Sequence, residues 1–394
     1  MRLVAWPLIA CLLALPVVAG DGPVEAKIPP GYEPAAAEDE LGLWMEVADI
    51  EKALRGSALL VNDADLNNYV SGLACRVAGD YCGDIRVYLI RNPGFNASMM
   101  PNGAMQIWTG TLTRTRSKDE LAAVIGHEIG HYTRLHTLER HRALKKSMSA
   151  GTFLDLGIAV ATGINLPVAT MSAMLNTLAF SREQESEADL IGAAMLADAG
   201  LDPHAAYSVW RGLIAEEAAA EVKREEPGMF AKTHPDAAAR ADVLEKWVVE
   251  RYGPPDRDMY PDHEHVDMLN RHYEFLMEDQ VDTNRFGRTG EMLERHLAMG
   301  VDPGLVRYFY GELYRQRGAA GDAARAIDAY RHAIELGDAP ASAYRNLGYL
   351  QLKEDDLDAA RRNFRHYLDL DPDASDRAMI EYYLRKDSLE DGET

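Results

Sequence analysis

The sequence predicts a mostly helical α+β chain, in which a domain built on helices and a small β-sheet precedes an all-helical solenoid. Three observations carry this. Serine-capped apolar helices frame residues 117–133 and 181–192, an alternating strand and a hairpin signal lie over residues 85–109, and a 34-residue recurrence fills the C-terminal third. At 394 residues and 47% hydrophobic content the chain has material for two or three cores.

Residues 1–19 carry Arg2, an uncharged apolar run and then Val17-Val18-Ala19, the pattern of a secretory signal peptide cleaved near Ala19. Leu8-Ile9-Ala10-Cys11 imitates a lipidation site, but it comes early and the apolar run continues past it. The folded domain is expected over 20–252. Helices are read over Leu43–Leu60 and Asp65–Val77. Cys75 and Cys82 are the thiols left after leader removal, and a close pair in an exported chain points to a disulfide. Two reduced, buried cysteines are the alternative. Ile85–Ile90 alternates as a strand, and strands near 95–100 and 104–109 around Pro101-Asn102-Gly103 make a hairpin. Asn96-Ala97-Ser98 also reads as a glycosylation sequon, the lesser reading for a bacterial-looking leader.

His127-Glu128-Ile129-Gly130-His131 is the most specific motif. Histidines at i and i+4 share one helix face, so both can bind one zinc while Glu128 stands beside the metal's water. Zinc lowers the pKa of bound water from about 15.7 to about 7, and the glutamate serves as general base. Ser117 and Glu120 read as a capping box for this helix. Gly126 and Gly130, poor helix formers one turn apart, predict that another backbone or the substrate comes close there. A catalytic zinc needs a third ligand. Ser181 and Gln184 cap a second helix on which Glu185 and Asp189 share a face. Glu185 is assigned as the ligand, and Asp189 as the acceptor that holds a ligand histidine in its tautomer. Glu183 and Glu187 read as solvated charges and Arg182 as a partner of local carboxylates.

The HEIGH run at 127–131 with SREQESEADLIG at 181–192 resembles the HtpX/BepA-like zinc metallopeptidases of the CAAX-prenyl-endopeptidase type. The resemblance covers roughly residues 40–250, and Asn96-Ala97-Ser98-Met99-Met100-Pro101-Asn102-Gly103 extends it upstream, with Asn102 and the following Ala-Met-Gln departing from the usual glycine-aromatic run. It implies a zincin-type fold, zinc on His127, His131 and Glu185, and Glu128 as base. It also implies a further active-site histidine at His234, able to stabilise an oxyanion or to occupy the open metal position. In such peptidases an extended peptide adds to a strand edge beside the metal, which assigns Met105, Gln106 and Ile107 as substrate-binding residues. An ordinary core hairpin is the alternative. His136, His141, His204, His263 and His265 read as surface residues.

Residues 148–180 are apolar and nearly uncharged, but Asp155 and Pro167 interrupt them. Two packed helices are expected there, with no stable transmembrane anchor, and contact with a membrane surface stays open. Gly253 to Asp262 marks a linker over 253–262. Beyond it, over 263–394, Ala326, Tyr330, Ala333 and Leu336 recur 34 residues later as Ala360, Phe364, Tyr367 and Leu370, the tetratricopeptide period. Residues 264–300 read as a degenerate preceding helical pair.

The net charge of −22 without a basic stripe excludes nucleic acid as a partner. The expected function is a periplasmic zinc endopeptidase acting on unfolded or misassembled outer-membrane proteins. Its repeats are expected to hold substrate, or a partner such as the outer-membrane assembly machinery. A chaperone or scaffold with a latent peptidase domain is the rival.

Overall fold

The computed structural model describes residues 25–35, 39–147, 179–221, 229–255, 262–337 and 339–390. The leader over 1–19, nearly all of the 148–180 stretch and the middle of the linker lie outside the described residues.

The domain opens with α1 (Asp39–Arg55) and α2 (Ala64–Ala78). Asp63 caps α2 by accepting the Leu66 N–H. A disulfide joins Cys75, near the end of α2, to Cys82 in the 3-10 turn Gly79–Asp84 that follows. Strands β1 (Arg86–Ile90), β2 (Ala97–Met99) and β3 (Ala104–Trp108) form a sheet in the order β1-β3-β2. The hairpin expected from sequence is the antiparallel β2–β3 pair, with Ala97 opposite Ile107. β1 lies parallel to β3, with Arg86 opposite Ala104. Gly103 turns the hairpin at φ +86°, where an added Cβ would sit 2.0 Å from the Asp84 carbonyl oxygen, so only glycine fits.

A one-turn helix, α3 (Thr109–Leu112), leads to α4 (Lys118–Thr133), which carries the HEIGH motif. Ser117 caps α4 by accepting the Glu120 N–H. Glu120 reaches back one residue further than a capping box requires, to the Arg116 N–H at 2.7 Å. Residues Glu120–Thr133 of α4 are all buried, which makes it the central helix. Around it lie α5 (His136–Ser147), α6 (Arg182–Asp198), α7 (Ala205–Ala218), the single-turn α8 (Met229–Thr233) and α9 (Ala237–Tyr252). Ser181 and Gln184 complete the capping box expected for α6. His204, read as a surface residue, is instead buried and bonded to Asp202 and to the Gly253 carbonyl.

The C-terminal part consists of helical hairpins α10–α11 (His263–Asp282, Phe286–Met299), α12–α13 (Pro303–Arg317, Asp322–Leu336) and α14–α15 (Ala341–Lys353, Leu357–Leu370), then α16 (Arg377–Glu390). Gly311 faces Tyr330 and Gly348 faces Phe364 so closely that a Cβ would lie 2.3 and 2.7 Å from the respective rings. The two hairpins therefore share one packing device at equivalent positions. Leu336 and Leu370, read as packing positions, are 43% and 52% exposed, because they fall on the outer face at the helix ends.

One apolar core runs without a break from the first domain into these hairpins. A polar clasp reinforces the junction. His265, expected to be exposed, is buried, with Nε2 2.9 Å from the Thr115 carbonyl and Nδ1 2.8 Å from Tyr69 Oη. His296 holds the Thr113 carbonyl at 2.7 Å in the same way. Between them the buried Arg114 donates to Glu216 and Gln280. Arg114→Ala is expected to destabilise the chain by about 3 kcal/mol, since it takes one of two buried guanidinium partners, Arg114 and Arg295, from the buried Glu216 carboxylate; the urea midpoint measures this. Among the described residues no helix is long and apolar enough to cross a membrane.

Candidate metal centre

Two helices meet backbone to backbone at the site. Cβ atoms added at Gly126 and Gly192 would lie 3.1 Å from Gly192 Cα and 2.9 Å from His127 N, and one at Gly130 would lie 2.9 Å from Ala188 Cα. The close approach expected at Gly126 and Gly130 is therefore that of α6. It brings Glu185 and Asp189 on α6 against His127 and His131 on α4.

His127, His131, Glu185 and His234 are all buried, and their ligand atoms lie within 4.8 Å of one another. His127 Nε2 and His131 Nε2 are 3.1 Å apart, and Glu185 oxygens sit 3.7 and 3.5 Å from them. His127 Nδ1 faces Asp189 Oδ1 at 3.0 Å, so the sequence-expected acceptor lies in reach of a ring nitrogen. His234, just after α8, has Nδ1 2.9 Å from Glu185 Oε1 and Nε2 3.7 Å from Glu128 Oε1. Its ring stacks on Phe230, 4.2 Å between centroids.

The electrostatics fit a cation. Burial and the nearby charge of Glu185 push the Glu128 carboxyl well above its ordinary value. Burial holds His234 down to about 4 against the pull of Glu185. Glu128 Oε1 is buried with no hydrogen-bond partner among the described residues. Two imidazole nitrogens facing each other beside a carboxylate match in type the His2Glu donor set that holds catalytic zinc. A cation among these groups counters the crowding of lone pairs and negative charge.

Several groups at the site were not visible in sequence. Arg240 on α9 is buried and forms ion pairs with both Asp189 (Nη2–Oδ1 2.6 Å) and Glu185. Arg240→Ala is expected to cost about 3–5 kcal/mol by leaving Asp189 and Glu185 with one buried counter-charge fewer, again read from denaturation. Phe180 stacks on His131 with centroids 3.8 Å apart, and the Arg140 guanidinium covers the other side of Phe180 at 4.1 Å. His136 is buried against His131 and bonded to Glu187, which corrects the surface reading of His136 and the solvated reading of Glu187. Glu183 is exposed and Arg182 pairs with Asp236 at 2.6 Å, as expected.

Met105, Gln106 and Ile107 are not at an open edge. β3 is the middle strand, paired on both sides, and all three residues are buried. The strand beside the site is β2. Asn96 and Met100 turn their main-chain groups toward β3, so alternation turns those of Ala97 and Met99 outward. The Met99 N–H reaches the Glu128 carboxylate. A space of ≈20 Å³, roughly one water, lies among Ser98, Met99, Glu128, Arg140, Phe180 and His234.

This ligand arrangement coincides with a family match: residues 61–248 match peptidase family M48. The domain belongs to that family. The chain is similar to mitochondrial metalloendopeptidase OMA1 of Schizosaccharomyces pombe, 33% identical over 167 residues, 42% of this chain and 47% of the relative. The putative beta-barrel assembly-enhancing protease of Vibrio cholerae is 32% identical over 165 residues (39% and 34%). The beta-barrel assembly-enhancing protease of Escherichia coli K12 is 27% identical over 266 residues (62% and 54%). The chain spans about half or less of the length of these relatives.

Proposed function

We propose that this chain is a periplasmic zinc endopeptidase that hydrolyses unfolded or misassembled envelope proteins. The observation that carries the reading is the convergence of His127, His131 and Glu185, with Glu128 poised beside them under the edge of β2. Those three side chains would hold the zinc, and the bound ion supplies Lewis acidity toward water and the scissile carbonyl. An extended peptide pairs with β2, so that main-chain hydrogen bonds give affinity with little sequence preference. Glu128 takes a proton from the attacking water at its carboxylate and later returns it to the leaving amine. Asp189 keeps the proton of His127 on Nδ1, and Arg240 balances the two buried carboxylates of α6.

The names of the beta-barrel assembly-enhancing relatives support outer-membrane proteins as the substrate class. The C-terminal hairpins are assigned as tetratricopeptide repeats that hold substrate or the assembly machinery. The test is hydrolysis of a permanently unfolded protein before chelation, after it, and after zinc is restored. Loss and recovery are expected; hydrolysis indifferent to chelation contradicts the reading.

The small space at the site and the inclusion of His234 in the ligand cluster favour a second reading, a chaperone or scaffold whose peptidase rests closed. His234→Ala separates the two. Faster hydrolysis than wild type identifies His234 as a plug in the open metal position. Slower hydrolysis assigns it to oxyanion stabilisation.

A further inference from the structure

The two ligand histidines are held from behind in different ways. His127 meets a carboxylate directly through Nδ1, whereas His131 Nδ1 lies 2.9 Å from Nδ1 of another imidazole, His136. His136 Nε2 lies 3.2 Å from Glu187 Oε2, and Arg134 Nε holds that same oxygen at 2.8 Å from the outside. His131 and His136 are both buried, while the Glu187 side chain is 35% exposed.

Two neutral imidazoles in Nδ1-to-Nδ1 contact have only two proton arrangements, because one nitrogen must donate and the other accept. In the first, His131 Nδ1–H donates to His136, and His136 carries its own proton on Nε2 and donates it to Glu187. His131 then turns a bare Nε2 toward the metal. In the second, His136 donates to His131, whose proton moves to Nε2 and faces the metal site. His136 Nε2 is then a bare lone pair pointed at a carboxylate. The ionised Glu187 accepts hydrogen bonds and donates none, so it permits the first arrangement and opposes the second.

We propose that Glu187, acting through His136, is a positioning residue that sets the tautomer of His131 for metal binding. The inference rests on the zinc reading above. It accounts for a carboxylate beyond contact with the metal ligands on the same helix as Glu185, and for a buried histidine five residues beyond the motif. It also gives His127 and His131 equivalent support, one through a carboxylate and one through an imidazole and a carboxylate in series.

The test compares wild type, Glu187→Ala, Glu187→Gln and Arg134→Ala by zinc affinity in chelator competition, by thermal midpoint, and by imidazole ¹⁵N shifts of the zinc-free proteins. Glu187→Ala should weaken zinc binding about 10–100-fold and move the His131 proton off Nδ1 in part of the population. The amide oxygen of Glu187→Gln still accepts from His136, so that variant should stay within about threefold of wild type by the same reasoning. Arg134→Ala removes an ion pair and leaves the acceptor, so it should behave likewise whatever its thermal midpoint. Zinc affinity in Glu187→Ala equal to wild type overturns the proposal, as does Glu187→Gln falling as far as Glu187→Ala. A His131 proton on Nε2 in the zinc-free wild type overturns it even if zinc binding is never detected. Wild type that binds no zinc refutes the proposed function separately.

Discussion

Glu128→Gln is expected to lower the hydrolysis rate of an unfolded protein by about 10²–10⁴-fold, the range for loss of a general base, with zinc content unchanged. The substitution is nearly isosteric and Glu128 is not one of the four clustered ligand side chains. Its carboxylate is buried beside the cluster, with Oε1 lacking a hydrogen-bond partner among the described residues and the Met99 N–H of β2 reaching the carboxylate. Glutamine keeps the shape and can still accept that N–H, but it cannot take a proton from water. Equal rates at equal zinc content would remove Glu128 from the chemistry.

The second large effect is expected at Gly130. A methyl group there would stand 2.9 Å from Ala188 Cα and 3.0 Å from the Ala188 carbonyl oxygen. Those atoms are backbone, so relief comes only by moving α6 away from α4. Gly130→Ala should therefore cost about 1–3 kcal/mol of stability, as overpacking does, and weaken zinc binding as well, because His131 and Glu185 sit on the helices being parted. Chelator competition and a urea titration on the same samples read the two effects. Loss of stability with zinc affinity intact would show that the helix contact is not what sets the ligand spacing. Ala122, also buried on α4, provides the comparison: Ala122→Gly should cost about 1 kcal/mol by helix propensity and leave the metal in place.

Much of this site was legible because its parts are local. The HEIGH spacing puts His127 and His131 on one face, and the Ser181–Gln184 box starts a helix whose i, i+4 carboxylates, Glu185 and Asp189, lie against those two histidines. His136 was not legible for a definite reason. Continuing the α4 period carries it to another face, but Leu135 adopts a left-handed φ of 59°, unusual for a branched side chain, and the chain folds back so that His136 meets His131. Arg240 follows three alanines in what reads as an ordinary exposed helix, and only the packing of α9 turns it onto Asp189.

The strand edge was misplaced for a topological reason. Alternation within 104–109 is the same for a middle strand as for an edge strand. The parallel pairing of β1 with β3 covers the edge that a two-stranded hairpin would have left open, and so passes the open edge to β2. Similarly, the proline-rich linker marked a boundary along the chain but not in space. His265, His296 and Arg114 tie the hairpins to the segment leading into α4, so the helical part is joined to the helix that bears the motif.

The central claim is that one zinc ion is held between α4 and α6, and elemental analysis of the purified chain tests it most directly. Prepared without chelators, the wild type should carry one zinc per chain, and Glu185→Gln, folded to the same far-ultraviolet spectrum, should retain little of it. A folded wild type that holds no metal and takes up none on addition of zinc would contradict the account.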